Sequence, residues 1–215
     1  VEVSDRALGR QMKGTKAYGW LSWMTGKGKY QEAKFEEDAE KIVEYYRNKG
    51  YISARVGQPE IKVLEDSPDG ETRWVQLDVP IDEGPRYKVG DFTFDGNKVI
   101  DTKFLEPFFK IKKGDWYSDK PIRNGLIKAR ELYGQGGYFE FTGFPDLDPQ
   151  DAAAGPIAGP AEPTVNVTMR MQEGEQYFVN RLTFVGNTTT RDNVIRREVR
   201  LYEGGTFNTE ALKYS

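Results

Sequence analysis

The stretch that decides the fold is Glu83-Gly-Pro-Arg-Tyr-Lys-Val-Gly-Asp-Phe-Thr-Phe-Asp-Gly-Asn97, because the chain repeats it as Glu173-Gly-Glu-Gln-Tyr-Phe-Val-Asn-Arg-Leu-Thr-Phe-Val-Gly-Asn187. The second stretch follows the first by 90 residues and shares Glu, Gly, Tyr, Val, Thr, Phe, Gly and Asn with it in register. So many identities in register indicate a tandem array. Each unit of such an array is small and buries a thin core, so neighbouring units share part of their stability.

The composition limits the chemistry that the chain can perform. Its 215 residues carry a net charge of −3, with 30% charged and 37% hydrophobic side chains, and contain no Cys and no His. Thiolate nucleophiles, disulfides and the commonest general base and metal ligand are therefore missing. The basic residues form no stripe of the kind that nucleic acids require. We expect no enzyme, no cofactor, no metal and no nucleic-acid partner.

The middle copy contains the fullest set of predicted elements. A strand covers Tyr87 to Phe94, and its apolar parity shifts at Gly90, which suggests a handover between domains at that point. Asp101 or Thr102 caps a short helix with Phe104, Leu105, Phe108 and Phe109 on one side. A second helix starts at Ser118 and has an apolar stripe at Ile122, Leu126, Ala129 and Tyr133. Two further strands are expected at Tyr138 to Phe144 and at Val165 to Met171, joined by a flexible loop from Asp148 to Pro163.

The flanking copies are incomplete. The first begins at a helix and repeats the later elements, with the helical stripe Phe35, Ala39, Ile42 and Tyr46 and the last strand Val75, Leu77, Val79 and Ile81. An insertion from Gly19 to Lys29 carries Trp20 and Trp23, which form either a binding platform or a small satellite core. The third copy has its strand and a helix from Thr189 to Leu201. We therefore expect domains at 1–85, 86–174 and 175–215.

The order of elements predicts the sheet topology. Two antiparallel helices return the chain, and a hairpin then makes the third strand parallel to the first, so the third strand is central and the second is an exposed edge. In the first copy this edge runs from Ile52 to Leu64. Its free backbone groups can accept an extended peptide. The candidate residues of this peptide-binding edge are Ile52, Ala54, Val56, Ile61 and Val63.

Other chemistry in the sequence is weak. Asp146, Asp148 and Asp151 could be calcium ligands, but they lack the glycine and distal glutamate of an EF-hand loop and also fit a solvated acidic loop. Paired carboxylates such as Glu36 and Glu37 lie on the polar face of a helix, and no pocket is expected around them.

The repeat resembles the POTRA (polypeptide-transport-associated) domain, in its strand-helix-helix-strand-strand order, its Gly96-Asn97 turn and its Gly-Tyr pairs at 50–51 and 137–138. Such a domain is α+β, with a three-stranded mixed sheet packed on two antiparallel helices. Residues 179–187 and the run Arg196-Arg-Glu-Val-Arg-Leu-Tyr-Glu-Gly204 resemble the last POTRA domain of the BamA family of outer-membrane protein assembly factors. Residues 20–51 resemble the third domain of that family.

This resemblance implies a periplasmic array, domains three to five of five, in an outer-membrane protein of a Gram-negative-type bacterium. It implies unfolded outer-membrane proteins as clients, accessory lipoproteins as partners and a C-terminal β-barrel of the same protein. The pattern of the helix at 189–201 turns Val194, Ile195 and Val199 towards the core and leaves its charged residues in solvent. The resemblance implies that this charged surface docks a lipoprotein, specifically through Arg196 and Glu203. The docking residues are Arg196, Arg197, Arg200 and Glu203. The alternatives are a related translocation or assembly barrel of the same superfamily, a purely structural spacer, or ordinary solvated helix charges.

Overall fold

The computed structural model describes residues 3–13, 32–66, 73–150 and 162–215. Trp20, Trp23 and Asp151 lie outside the described residues, as does most of the expected loop before Pro163. The chain forms two compact units, one of Val1–Tyr87 with Trp116–Asp119 and one of Lys88–Asp115 with Lys120–Ser215. Within the described segments, no helix combines the length and the apolar character needed to cross a membrane.

The first unit contains two helices and two short sheets. Helix α1 is Asp5–Gly9 and helix α2 is Glu32–Arg47. The predicted stripe on α2 is confirmed, because Phe35, Ile42 and Tyr46 are buried. Ile42 and Tyr46 share their core with Val3, Leu8, Tyr51 and Ala54.

The strands of the first unit are interrupted. They are β1 (Arg55–Val56), β2 (Glu60–Asp66), β3 (Arg73–Asp78) and β4 (Ile81–Asp82). β1 pairs with β4 and β2 pairs with β3, each antiparallel. The expected continuous strand from Ile52 to Leu64 is therefore wrong, because Ile52 lies in a turn and Gly57 to Pro59 separate β1 from β2.

The second unit contains the complete α+β repeat. Strands β5 (Lys88–Asp95), β6 (Thr142–Gln150) and β7 (Thr164–Gln172) form one sheet in the order β5-β7-β6. β7 is parallel to β5 and antiparallel to β6, so the predicted topology with a central third strand is confirmed. Every second residue of β7 is buried, as its alternating sequence predicts: Val165, Val167, Met169 and Met171.

The parity shift at Gly90 has a local cause. The pairing of β5 with β7 shifts between Val89 and Phe92, so Gly90 belongs to a β-bulge inside β5. The two compact units divide between Tyr87 and Lys88, where this strand begins. The Asn166 side chain accepts a hydrogen bond from the Asp91 N–H at 2.9 Å. A Cβ on Gly90 would come within 2.3 Å of the Asn166 Oδ1 atom, so a larger residue there would displace the Asn166 side chain from its bond to Asp91.

Helix α3 (Thr102–Leu105) and helix α4 (Asp119–Gln135) cover this sheet, with a 3₁₀ turn at Glu106–Phe108 between them. Asp101 caps α3 as expected, by accepting from the Lys103 N–H. Leu105 and Phe109 are buried, but Phe104 is 58% exposed, because the helix ends after one turn and turns only part of its surface inward.

Strand β6 begins later than the sequence predicts. Residues Tyr138 to Phe141 form a turn, in which the Phe141 ring stacks on Tyr133 at 4.2 Å. This aromatic contact, and not strand pairing, explains why an apolar residue occupies position 141. Asp148 belongs to β6 and not to a loop.

The third copy contains helix α5 (Asp192–Glu198) and helix α6 (Thr209–Lys213). The expected strand of the third copy does not form, and only an isolated bridge joins Phe178 to Thr206. In the middle repeat, β5 forms its backbone hydrogen bonds with β7. The described residues after Gly174 contain no counterpart of β7, so the third copy's expected first strand has no such neighbour to pair with. Val194 is 48% exposed, so its expected core position is wrong, whereas Ile195 and Val199 are half-buried.

Candidate functional site

The first candidate surface is the outer edge of β2. Within the described part of the chain, β2 pairs with β3 on one side and receives no backbone hydrogen bond on the other. Ile61 and Val63 lie on this strand, whereas Ala54 and Val56 lie before it and contribute to the core of the first unit. The longer strand within the predicted edge is therefore β2, which continues to Asp66, while β1 contributes only Arg55 and Val56.

This edge carries an exposed apolar face. Ile61 is 50% exposed and Val63 is 57% exposed, and they lie opposite Leu77 and Val75 of β3. Residues directly opposite each other on antiparallel strands share one face of the hairpin. Exposed apolar side chains on a soluble protein are usually scattered singly. A contiguous apolar face beside a free strand edge is therefore typical of an interaction site.

Two features limit the length of the edge. Pro59 and Gly57 precede β2, and the Gly57 N–H donates to the Pro80 carbonyl at 2.8 Å. The register of β2 shifts between Val63 and Glu65, which leaves Leu64 as the bulged residue. Prolines and bulges protect sheet edges from uncontrolled pairing. Glu60 to Val63 is the regular segment that remains.

The opposite face of the hairpin is polar. Lys62 and Asp78 form an ion pair at 2.5 Å. Hydrogen bonds from Lys62 and Gln76 lower the pKa of the Asp78 carboxyl. Because these groups are exposed, the pair contributes little to stability, but it gives the hairpin one charged and one apolar face.

The second candidate surface is the charged cluster around α5. Arg196 donates to the Asp192 carboxylate at 2.6 Å, to Glu203 at 3.2 Å and to the Leu182 carbonyl at 2.9 Å. Its guanidinium carbon also lies 5.4 Å from the centre of the Phe184 ring. Arg196 thus connects α5 with the segment before it and the turn after it.

Glu203 completes this connection. Its carboxylate accepts from the Leu182 N–H at 2.9 Å as well as from Arg196. The Leu182 hydrogen bond, followed by that of Arg196, lowers the pKa of Glu203. Arg196 is 40% exposed and Glu203 43% exposed, so both can be reached from solvent, but each already has internal partners.

The other two predicted docking residues, Arg197 and Arg200, have fewer internal contacts and are more accessible to a partner. The part of the chain that the structure describes offers Arg197 no ion pair or hydrogen bond. The Arg200 guanidinium lies 5.6 Å from the Tyr214 ring centre, and its backbone N–H donates to Ser215 Oγ at 2.8 Å. Both arginines are exposed.

A hydrogen-bonded turn supports this cluster. The Gly204 N–H donates to the Val179 carbonyl at 2.6 Å, and the Val179 N–H donates to the Gly205 carbonyl at 2.8 Å. The middle repeat has the same two bonds 90 residues earlier, between Val89 and the pair Gly114 and Asp115. The turn that presents Glu203 is therefore a property of the repeat.

Sequence reasoning missed several structural partners. Asp192 and Leu182 were not considered, although Asp192 precedes Arg196 by one helical turn, a spacing that favours ion pairs. The sequence pattern placed Tyr46 and Tyr133 on the apolar helical stripes, but it did not predict the partners of their hydroxyl groups. The Tyr46 hydroxyl donates to Glu83 at 2.8 Å and the Tyr133 hydroxyl to Glu173 at 2.7 Å. Both tyrosines and both glutamates occupy repeated positions in the sequence, and this repetition could have predicted the two tyrosine–glutamate pairs.

Among the acidic residues considered as calcium ligands, Asp146 forms an ion pair within the sheet. Asp146 accepts from Arg170 at 3.1 Å, and Arg170 also binds Asp95, so the three side chains connect β5, β7 and β6. The hydrogen bonds that Arg170 donates to the Asp146 and Asp95 carboxylates raise the pKa of its guanidinium. Where the structure describes the chain, it contains no group of three or more His, Cys, Asp or Glu that could hold a metal ion.

Comparison with known proteins agrees with this fold. BamA, the outer membrane protein assembly factor of Neisseria meningitidis serogroup B, is 29% identical over 99% of this chain. BamA of Nitratidesulfovibrio vulgaris is 28% identical over 92% of the chain. The chain spans about a quarter of the length of these curated relatives, 25% and 23% respectively.

A solved structure and a family model give the same answer. The crystal structure of Haemophilus influenzae BamA POTRA3-5 matches with a TM-score of 0.70 and 24% identity, over 99% of this chain and 77% of that one, and shows the same fold. The sequence model of POTRA, described as the surface antigen variable number repeat, matches residues 2–84, 87–174 and 177–215. Since these matches span nearly the whole sequence, the predicted resemblance is confirmed and the chain belongs to the POTRA family.

Proposed function

We propose that this chain is a periplasmic scaffold and client-binding module of an outer-membrane protein assembly machine. The names of its relatives support this role, because two of them are outer membrane protein assembly factors. The array would consist of three repeats with boundaries near Pro85 and Glu175, and it would act by binding and not by catalysis.

Clients would bind by adding a strand to β2. The observation that carries this proposal is the free outer edge of Glu60–Asp66 beside the exposed side chains of Ile61 and Val63. Backbone hydrogen bonds are largely independent of sequence, so one edge can serve many unfolded outer-membrane proteins. The apolar face would add affinity for strands with alternating apolar residues. Ile52, Ala54 and Val56 would support this edge from the adjacent turn and core.

The test is an NMR titration of the ¹⁵N-labelled chain with a peptide taken from an outer-membrane β-strand. Amide shifts should map to β2. Successive N–H groups of a strand point alternately inward and outward, so Ile61→Pro and Lys62→Pro remove one of each kind. The variant that loses the outward donor should lose peptide binding and keep the β3 amide signals, and the other should break the hairpin. If both variants bind the peptide like the wild type, the clients bind elsewhere.

Accessory lipoproteins would dock on the α5 surface. Arg197 and Arg200 would supply the available positive charge, while Arg196 and Glu203 would hold the surface in shape and add rim contacts. Rim charges mainly affect the association rate and its salt dependence. Arg197→Glu should therefore weaken lipoprotein binding without changing the amide spectrum of Leu182. Glu203→Lys should change both.

This pair of variants separates docking from local structure. The measurement is the affinity of the purified full-length protein for its lipoproteins, together with the spectrum of the 215-residue chain. Undiminished lipoprotein affinity in Arg197→Glu and Glu203→Lys would assign these charges to solubility alone. A chain that shows no peptide and no lipoprotein binding would favour the structural spacer, and binding of other clients would favour a related translocation barrel.

A further inference from the structure

Strand β6, the second edge of the array, contains two prolines at informative positions. Pro145 lies opposite Met169 of β7 and Pro149 lies opposite Val165, within an unbroken antiparallel register. Residues of an antiparallel pair either exchange N–H groups with their partners or turn them outward. Because proline has no N–H, both prolines must occupy the positions whose backbone nitrogen points away from β7.

This alternation of inward and outward N–H groups determines which backbone groups the free edge of β6 can offer to an added strand. The outward positions alternate along the strand and are Gly143, Pro145, Leu147 and Pro149. Only Gly143 and Leu147 can donate a hydrogen bond outward. At the other two positions a pyrrolidine ring stands where the carbonyl group of an added strand would need a donor.

β1 and β2 together are the first unit's counterpart of β6, and Pro59 lies between them, so the part of this edge without a proline is the regular segment of β2. Glu60 to Val63 pair with β3 in continuous register and include no proline. Whichever phase this segment has, its outward positions keep their N–H groups. The two edges therefore differ in donors, although both are second strands of the same kind of repeat.

We propose that Pro145 and Pro149 close the β6 edge to strand addition, so that of these two edges an extended client polypeptide docks on β2. This inference rests on the proposed binding of clients at β2. β6 then acts as a guarded edge, which pairs neither with clients nor with a second copy of the chain. The prolines thereby direct a client to one strand of an array whose repeats would otherwise present several equivalent edges.

The test restores the missing donors. The double variant Pro145→Thr/Pro149→Thr places β-branched residues with N–H groups at both outward positions. Each net backbone hydrogen bond is worth about fivefold in affinity, so the two together should strengthen peptide binding at β6 by about 25-fold. The matched control is Pro107→Thr, which removes an exposed proline from the 3₁₀ turn of the same repeat.

The probe is a peptide of alternating Val and Thr, titrated into the ¹⁵N-labelled 215-residue chain. In the wild type and in Pro107→Thr, only β2 amides should shift. In the double variant, Gly143 and Leu147 should shift as well, and each single variant should show an intermediate gain. Concentration-dependent dimerisation of the double variant, measured by analytical ultracentrifugation, would also support the proposal, because a second β6 is itself an extended strand.

Two results would overturn the inference. One is a wild-type β6 whose amides respond to the peptide as strongly as those of β2. The other is a set of folded single and double variants, with unchanged β7 signals, that gain neither peptide binding nor self-association. A failure of the proposed client site is read separately, because it would appear as missing shifts on β2 in every variant, whatever happens on β6.

Discussion

Substitution of Gly96 by alanine tests whether the repeated Gly-Asn turn is required by close packing. Gly96 follows β5 with φ of +87°, and a Cβ built on it would lie 2.2 Å from the carbonyl oxygen of Met171 on β7. Two costs therefore add. The left-handed backbone costs an alanine about 1 kcal/mol. Forcing a methyl group against a backbone atom costs about 2 kcal/mol more, since neither strand can move without loss of ladder hydrogen bonds.

Two glycines of the same chain are matched controls. Gly114 has φ of +88° and Gly186 has φ of +84°, and a Cβ on either would meet nothing within 4 Å. Gly114 belongs to the same repeat as Gly96. Gly186 is the counterpart of Gly96 in the third repeat. Gly114→Ala and Gly186→Ala should each cost only the backbone term of about 1 kcal/mol, whereas Gly96→Ala should cost about 3 kcal/mol.

The assay is urea unfolding, combined with hydrogen exchange of the buried β7 amides, which reports on the middle sheet itself. Gly96→Ala should speed exchange at Val165 and Val167 far more than Gly114→Ala does. Equal losses for Gly96→Ala and Gly114→Ala would refute the argument, because the approach to Met171 would then contribute nothing beyond backbone strain.

Three further predictions concern side-chain hydrogen bonds. The pKa of Glu203 is lowered by the Leu182 N–H, so its contribution is complete above the usual glutamate pKa and is lost as pH falls through the lowered one. The Leu182 amide should therefore titrate with a midpoint below that of an ordinary glutamate, and a midpoint at or above it would contradict the contact. Tyr133→Phe, which leaves Glu173 without the hydroxyl donor, should cost about 1 kcal/mol in urea unfolding, and an unchanged midpoint would show the bond to be neutral. Burial raises the pKa of Tyr46 and Tyr133, so stability should fall above about pH 10, where unfolded tyrosines ionise first, and Tyr133→Phe should reduce that fall.

The sequence predicted the elements whose signals are local. The alternation of β7 and the stripe on α4 each follow from one buried face, so the positions of Val165, Val167, Ala129 and Tyr133 could be derived without tertiary information. The start of β6 could not. Phe141 is apolar because it stacks on Tyr133, and an aromatic contact between a turn and a helix leaves no periodic signal.

The candidate sites were predicted as residues but not as geometry. That Ile61 and Val63 lie on a strand followed from the repeated order of elements. The break before them depends on the hydrogen bond between Gly57 and Pro80, which are distant in sequence. The helical spacing placed Arg196 and Arg197 on the same element. It could not show that Arg196 binds the Leu182 carbonyl, because that bond depends on how the preceding segment crosses the helix.

The repeated turn shows that one backbone frame can carry opposite charges in two repeats. The bonds between Val89 and Gly114 and between Val179 and Gly204 give the middle and third repeats the same backbone frame. The middle repeat presents Lys113 just before its turn glycine, paired with Asp91 at 2.6 Å. The third repeat presents Glu203 at the equivalent position, 90 residues later. The same backbone turn therefore forms with either charge. Any difference in partners between the repeats would have to come from their side chains. A partner known for one POTRA repeat consequently cannot be transferred to another on fold alone, and the charge at this turn is the first position to compare.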